Sequence, residues 1–186
     1  MHFRSAVVAA LVLATGPAWG HGDSNGKKPA EKSGPVSTEE HAFGRAGDSR
    51  KVTRAYQVGM DDTMHFRVTA AARQERKSDA HGEPSQIKPG DIVVKRGETV
   101  RFLVRNRGKV MHEMVLGTMR ELREHAELMK KHPGMEHDEP YMLHVAPGKT
   151  AEMGWRFTRP GEFYYGCLVP GHFEAGMVGR IKVTEK

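Results

Sequence analysis

The sequence contains only one cysteine, Cys167, among its 186 residues. A single thiol cannot pair within its own chain, so a framework of internal disulfides is excluded. Beyond the first 20 residues there is no apolar run of the roughly 20 residues needed to cross a bilayer. The sequence also has no dense basic block, because its Lys and Arg residues are interleaved with Glu and Asp at a net charge of +6. This charge pattern indicates a solvated surface and no nucleic-acid partner, although an acidic protein partner is compatible with it.

The N-terminus has the three parts of a secretory signal peptide. Arg4 supplies a positive charge, residues 5–15 form a short uncharged apolar run, and Ala18-Trp19-Gly20 provides small residues before a cleavage point. A membrane anchor is the alternative, but the run is well short of a spanning length. The pattern therefore predicts a signal peptide over residues 1–20, export to the periplasm and a mature chain beginning at His21.

Composition divides the exported part into two regions. Residues 21–51 are rich in Gly, Ser, Lys, Glu and Pro and show no apolar period, which predicts a disordered N-terminal tail. From residue 52 onwards, short alternating segments are separated by Gly- and Pro-containing turns. We therefore predict one domain over residues 52–186, which is long enough for a hydrophobic core.

Most of the predicted domain has the period of β-strands. In the segment 99–106, Val100, Phe102 and Val104 share one face, while arginines occupy the other face. Several such segments at regular spacing predict an all-β fold, either a sandwich or a barrel.

One segment breaks the strand pattern and predicts a short inserted helix around residues 118–132. Thr118 followed by Glu121 is a capping box, which favours a helix start at this point. Lys130 and Lys131 precede Pro133-Gly134, and this order favours a helix end.

The surroundings of Cys167 bear on its role, because thiols outside the cytosol are normally paired. The cysteine of an exported chain could form an intermolecular disulfide, remain a free thiol or bind a metal. His172 and Met177 follow it at equal intervals of five residues, with turn residues between them, and His112 begins a strand-like segment upstream. A thiolate, two imidazoles and a distant thioether together describe a blue-copper site. The alternative for each residue alone is ordinary: a buried thiol, a surface histidine and a core methionine.

Two segments of the chain resemble the cupredoxins, the small blue-copper proteins. They are "KRGETVRFLVRNRGKVMHEMVLGT" and "PGEFYYGCLVPGHFEAGMVG", and the resemblance extends over roughly Val52 to Lys186. Within the family, the chain is most similar to the periplasmic copper-tolerance cupredoxins of proteobacteria. The resemblance implies a Greek-key β-sandwich with a type 1 copper at one end.

The resemblance also implies a ligand set for that copper. His112, Cys167 and His172 would be the equatorial ligands, and Met177 would be the axial ligand. In many cupredoxins an Asn follows the first histidine and ties two loops together, whereas Glu113 occupies that position here. The spacing from the cysteine to the second histidine resembles that of the azurin and rusticyanin loops.

The domain contains more soft ligands than one copper site requires. His125, Met129 and His132 recur at helical spacing and share a helix face, which makes them candidates for additional copper together with Met135 and His137. The alternative is that Met129 belongs to the core, because Leu122 and Ala126 share that face. His21 is a weaker candidate, since after cleavage its amine and ring could chelate Cu(II) together with His41 on the tail. An incidental surface histidine is the simpler interpretation of His21.

The sequence leaves two functions open and disfavours a third. The first is a periplasmic copper protein that contributes to copper tolerance by binding copper and handling its redox state. The second is a soluble electron carrier whose redox partner docks near His172, on an apolar ring formed by Leu168, Val169, Pro170, Phe173 and Ala175. An enzyme of the multicopper oxidase type would need several His-x-His pairs, and the sequence contains none. We therefore expect a copper-binding protein rather than an enzyme.

Overall fold

Two five-stranded β-sheets make up most of the described chain, which in this computed structural model comprises residues 37–70, 91–133 and 138–185. All of these residues lie within one compact unit. None of the helices among them is both long and apolar enough to span a membrane. The predicted all-β sandwich with an inserted helix is confirmed.

The strands divide evenly between the two sheets. The first sheet contains β1 (Arg45–Ala46), β2 (Arg54–Asp61), β3 (His65–Ala70), β5 (Thr99–Asn106) and β8 (Thr150–Arg156). The second contains β4 (Ile92–Lys95), β6 (His112–Gly117), β7 (Met142–Val145), β9 (Gly161–Gly166) and β10 (Val178–Thr184). The spatial orders are β1-β8-β5-β2-β3 and β4-β10-β9-β6-β7. Strands β2 and β5 pair in parallel, as do β4 and β10, and the other pairs are antiparallel.

The main core lies between the inner faces of the two sheets. Val100, Phe102 and Val104 of β5 are each 0% exposed, as their alternation with arginines predicts. Trp155 lies opposite Val100 in the neighbouring strand β8 and is also fully buried. Burial of these large apolar side chains favours a fixed stacking of the sheets, and one end of this stack carries the candidate site.

Helix α1 (Met119–Lys131) follows β6 directly and covers a second, smaller core. The Thr118 hydroxyl accepts a hydrogen bond from the Glu121 N–H, and the Glu121 carboxylate accepts one from the Thr118 N–H, which completes the predicted capping box. The inner face of the helix buries Leu122, Ala126 and Met129. The helix therefore begins and ends where its sequence signals predict.

The prediction of disorder is wrong for the last part of residues 21–51. Strand β1 pairs with β8, and Phe43 is only 3% exposed. The Phe43 ring stacks on Trp155 at a centroid distance of 5.4 Å, and the Trp155 indole N–H donates to the Phe43 carbonyl over 2.9 Å. These contacts join residues more than 100 positions apart, so no local period announces them. The predicted signal peptide and the tail up to residue 36 lie outside the described residues.

Candidate metal centre

Three predicted ligand side chains converge at one end of the sandwich. The ligand atoms of His112, Cys167 and His172 all lie within 4.8 Å of one another. The Cys167 Sγ is 3.3 Å from Nδ1 of His172 and 3.9 Å from Nδ1 of His112. His112 and Cys167 are fully buried, whereas His172 is half-buried. In the part of the chain that the structure describes, this is the only such group of three or more His, Cys, Asp or Glu residues.

The loop from Cys167 to Met177 closes on itself through its main chain. The Cys167 N–H donates to the Met177 carbonyl over 3.0 Å, and the Met177 N–H donates to the His172 carbonyl over 3.1 Å. Gly171 and Gly176 provide the turns with φ angles of +90° and +91°, in the left-handed region that favours glycine. The loop thus holds Cys167 and His172 close together, and its last residue, the fully buried Met177, leads directly into β10.

The second sheet fixes the other side of the centre. His112 is the first residue of β6 and lies opposite Val145 of β7. Cys167 directly follows β9, which pairs with β6. The Glu113 main-chain N–H donates to the Cys167 Sγ over 3.3 Å, so this hydrogen bond does not depend on the Asn found here in many cupredoxins. The Glu113 carboxylate instead lies 3.6 Å from Nε2 of His144.

A buried amide, which was not among the predicted site residues, holds the loop before His112. The Asn106 side chain is 0% exposed and donates to the carbonyls of Val110 over 2.7 Å and Val145 over 2.8 Å. Its Oδ1 accepts from the Gly108 N–H over 2.8 Å. Asn106 occupies the next inward-facing position of β5 after Val104. A polar residue at an inward-facing strand position is the sequence feature that could have indicated this role.

A carboxylate from a distant turn contacts the outer edge of His112. The Asp62 Oδ1 lies 3.2 Å from Nε2 of His112, and the Asp62 carboxylate also accepts a hydrogen bond from the Lys109 N–H over 2.8 Å. The Lys109 N–H is the largest cause of a lowered pKa of the Asp62 carboxyl, and the hydrogen bond with His112 lowers this pKa further. Asp62 is therefore an anion at neutral pH. No local pattern indicates this contact, because the two residues are 50 positions apart.

Burial shifts the pKa values of Cys167 and His172. Desolvation raises the pKa of the Cys167 thiol to about 12 and lowers the pKa of His172 from its ordinary value. Both shifts favour the uncharged forms, a thiol at Cys167 and a neutral imidazole at His172. A metal ion would replace the thiol proton and compensate the charge of the buried thiolate. One thiolate and two imidazoles in a buried pocket, with a buried thioether on the same loop, are a donor set that fits copper.

The residues proposed for additional copper have different surroundings. Met129 is 7% exposed and packs with Leu122 and Ala126, as the core alternative predicts. His125 is half-buried on the helix, and His132 is exposed at its C-terminal end. Met135, His137 and His21 lie outside the described residues, so an additional site remains a prediction.

Two other predicted environments differ in the structure. His41, expected on a disordered tail, packs against the rings of Phe43 and Tyr141 at centroid distances of 5.2 and 4.9 Å. Leu168, expected on the exposed apolar ring around His172, is only 1% exposed because it packs into the core beneath α1.

The exposed apolar surface at the candidate site therefore differs from the predicted ring. Pro170 and Ala175 are exposed, and Val110 and Met111, just before His112, are each 44% exposed. The exposed apolar residues thus belong to two loops, whereas the predicted ring lies in the loop after Cys167 alone.

Comparisons with known proteins agree with this geometry. Residues 74–184 match the sequence model of the copper binding proteins of the plastocyanin/azurin family. The copper-resistant cuproprotein CopI of Rubrivivax gelatinosus is 43% identical over 141 residues, which cover 76% of this chain and 73% of that protein. The CopI of Pseudomonas aeruginosa is 31% identical over 171 residues, with coverage of 76% and 82%.

Two solved structures of auracyanins share the fold. Auracyanin B matches with a TM-score of 0.53 at 19% identity, over 76% of this chain and 96% of that chain. The dithionite-reduced auracyanin of Roseiflexus castenholzii matches with a TM-score of 0.52 at 13% identity, with coverage of 72% and 98%. At this level of identity, the likeness concerns the β-sandwich alone.

Proposed function

This chain belongs to the plastocyanin/azurin family of copper-binding proteins, and we propose that it is a periplasmic type 1 copper protein that contributes to copper tolerance. The observation that carries the proposal is the convergence of one thiol and two imidazoles within 4.8 Å. We further propose that His112, Cys167 and His172 are the equatorial ligands and that Met177 is the axial ligand. Copper bound there would supply a one-electron redox couple.

The protein's contribution is to hold these donors in place. Strand β6 fixes His112, and the closed loop fixes Cys167 and His172. Cu(I) and Cu(II) prefer different geometries, so a site held by rigid elements limits rearrangement between the two states. Limited rearrangement favours fast electron transfer at this site.

The role in copper tolerance has two supports. Two similar proteins are named copper-resistant cuproproteins, and the N-terminus has the pattern of an export signal. Copper that enters the cell reaches an exported protein before it reaches the cytosol. We propose that Cu(I) would lose one electron and become Cu(II), and that a one-electron acceptor protein would take up this electron. His112, Cys167 and His172 would hold the type 1 copper that supplies the one-electron couple between the two. The half-buried ring of His172 is the proposed exit for the electron.

A dedicated electron carrier is the second candidate function. The exposed apolar residues Val110, Met111, Pro170 and Ala175 support it, because they lie beside His112 and His172 in the chain, where a docking partner would reach the proposed ligands. Neither function requires a second, oxygen-reducing copper cluster. This proposal agrees with the lack of His-x-His pairs in the sequence.

Absorption and copper content of the purified protein test the ligand assignment. We expect the oxidised copper-loaded protein to be intensely coloured, because thiolate-to-copper charge transfer absorbs visible light. Cys167→Ser should abolish this colour, whereas His132→Ala, which changes an exposed histidine at the end of α1, should retain it. If the Cys167→Ser protein keeps the same absorption, the proposed site is wrong.

A further inference from the structure

The two ring nitrogens of His112 face different groups. Nδ1 points to the Cys167 Sγ at 3.9 Å, on the inner side of the proposed copper centre. Nε2 lies 3.2 Å from the Asp62 Oδ1. A neutral imidazole carries its proton on one nitrogen, and the hydrogen bond made by that nitrogen selects the tautomer. A proton on Nε2 can be donated to Asp62, and this leaves the lone pair of Nδ1 free for a metal.

Several contacts hold the Asp62 carboxylate in place. Its Oδ1 and Oδ2 accept from the Lys109 N–H over 3.1 and 2.8 Å. Gly108 leaves room for it, since a Cβ at that position would lie 2.0 Å from the Asp62 Oδ1. Asn106 holds the same loop from the inside through the Gly108 N–H. The carboxylate is therefore seated against the loop that leads into His112.

Asp62 belongs to the turn between β2 and β3, in the other sheet from His112. Its side chain is 39% exposed, whereas that of His112 is 0% exposed. The contact joins the two sheets at the copper end of the sandwich. Water partly screens the charge of the Asp62 carboxylate, so we expect a moderate effect of this charge on the proposed copper ion.

We propose that Asp62 is a positioning residue of the copper centre, which fixes the tautomer and orientation of His112 and favours Cu(II) over Cu(I). The inference rests on the proposed function, because it takes His112 as a copper ligand. A carboxylate that accepts the second N–H of a ligating histidine raises the basicity of that ligand. The nearby negative charge also stabilises the more highly charged ion.

Asp62→Asn tests the negative charge of Asp62 separately from the size of its side chain. The amide oxygen can still accept the Nε2–H hydrogen bond, but the negative charge is lost. Asp61→Asn is the matched control, because it removes the same charge one residue away, where the carboxylate pairs with Arg67 over 3.1 Å. We expect Asp62→Asn to weaken Cu(II) binding about 10–100-fold and Cu(I) binding less. A tenfold difference corresponds to a rise of about 59 mV in the potential of a one-electron couple. Equal potentials in the two variants would overturn the inference.

Gly108→Ala tests the same contact without a change of charge. The new Cβ would displace the Asp62 carboxylate, so we expect the potential to rise as in Asp62→Asn. Imidazole ¹⁵N chemical shifts of the copper-free protein give an independent readout. The wild type should carry the His112 proton on Nε2, and Gly108→Ala and Asp62→Ala should shift the His112 signals toward a mixture of tautomers. Unchanged signals in both variants would refute the positioning role.

The failure of this inference is distinguishable from the failure of the proposed function. If His112 is not a copper ligand, the ¹⁵N signals still respond to Asp62→Ala, while His112→Ala leaves the absorption unchanged. If only the role of Asp62 is wrong, the colour still depends on Cys167, and Asp62→Asn behaves like Asp61→Asn.

Discussion

The main-chain N–H of Glu113 donates a hydrogen bond to the Cys167 Sγ over 3.3 Å, and it thereby connects strand β6 to the loop that follows β9. A main-chain donor is present whatever side chain occupies position 113, provided that residue is not proline. The departure from the Asn of many cupredoxins therefore leaves the hydrogen bonding of the sulfur intact. The Glu113 side chain lies toward His144 instead.

The first prediction concerns this substitution. Glu113→Gln should keep the intense absorption of the copper-loaded protein and its stoichiometry at the type 1 site, because the main-chain hydrogen bond to Cys167 remains. Absorption spectra at matched copper content check this. A loss of the band comparable to that in Cys167→Ser would show that the carboxylate itself is required.

The second prediction concerns the buried amide of Asn106. Asn106→Ala would leave the Val110 and Val145 carbonyls without their side-chain donor, and a buried polar group without a partner costs about 1–3 kcal/mol. We expect urea unfolding of the copper-free protein to show a loss in this range. Gln57→Ala, which changes an exposed residue of β2, is the control and should lie within about 0.5 kcal/mol of wild type. Equal stabilities of the two variants would contradict the role of Asn106 in holding the loop.

Local signals in the sequence predict much of this structure. The alternation of Val100, Phe102 and Val104 predicts a strand with one buried face, and the Thr118–Glu121 capping box predicts the start of the helix. These features depend on residues within a few positions of each other. The turn residues between Cys167 and Met177 likewise predict a loop that brings its side chains together.

Long-range contacts were the part that the sequence did not reveal. Phe43 is buried by Trp155, Asp62 reaches His112 from the other sheet, and Leu168 is covered by α1. Each of these contacts joins segments that carry no common pattern. A short polar stretch can thus belong to the fold when one aromatic residue anchors it, as Phe43 does just before β1.

The third prediction concerns the proposed axial ligand. Met177→Leu should retain copper and colour but raise the reduction potential, because a weak thioether stabilises Cu(II) slightly. Met177 is 0% exposed, and leucine is close to it in volume, so the cost in stability should stay below about 1.5 kcal/mol. Voltammetry measures the potential. A value equal to that of the wild type would show that Met177 is not an axial ligand.

The fourth prediction concerns additional copper. Titration of the wild type with Cu(I) should give more than one ion per chain, and joint replacement of His125, His132, Met135 and His137 should lower that number while the colour persists. Met129→Leu is the matched control and should leave the number unchanged, because Met129 packs in the core. A wild-type stoichiometry of one would refute the additional site and favour the plain electron carrier.

The last prediction concerns the role in the cell. A strain that lacks this protein should grow normally without added copper and poorly with it, because soft, thiol-reactive Cu(I) would accumulate in the periplasm. If protection depends on electron transfer through the centre, the strain that expresses Cys167→Ala should be as copper-sensitive as the deletion strain. The reason is that the proposed type 1 centre cannot form without the thiolate. We expect this outcome in growth across a copper series with each variant expressed at an equal level. Substantial protection by Cys167→Ala would indicate sequestration at other ligands. A deletion strain that is indifferent to copper but impaired in respiration would favour the electron carrier, because only that function predicts a defect without added copper.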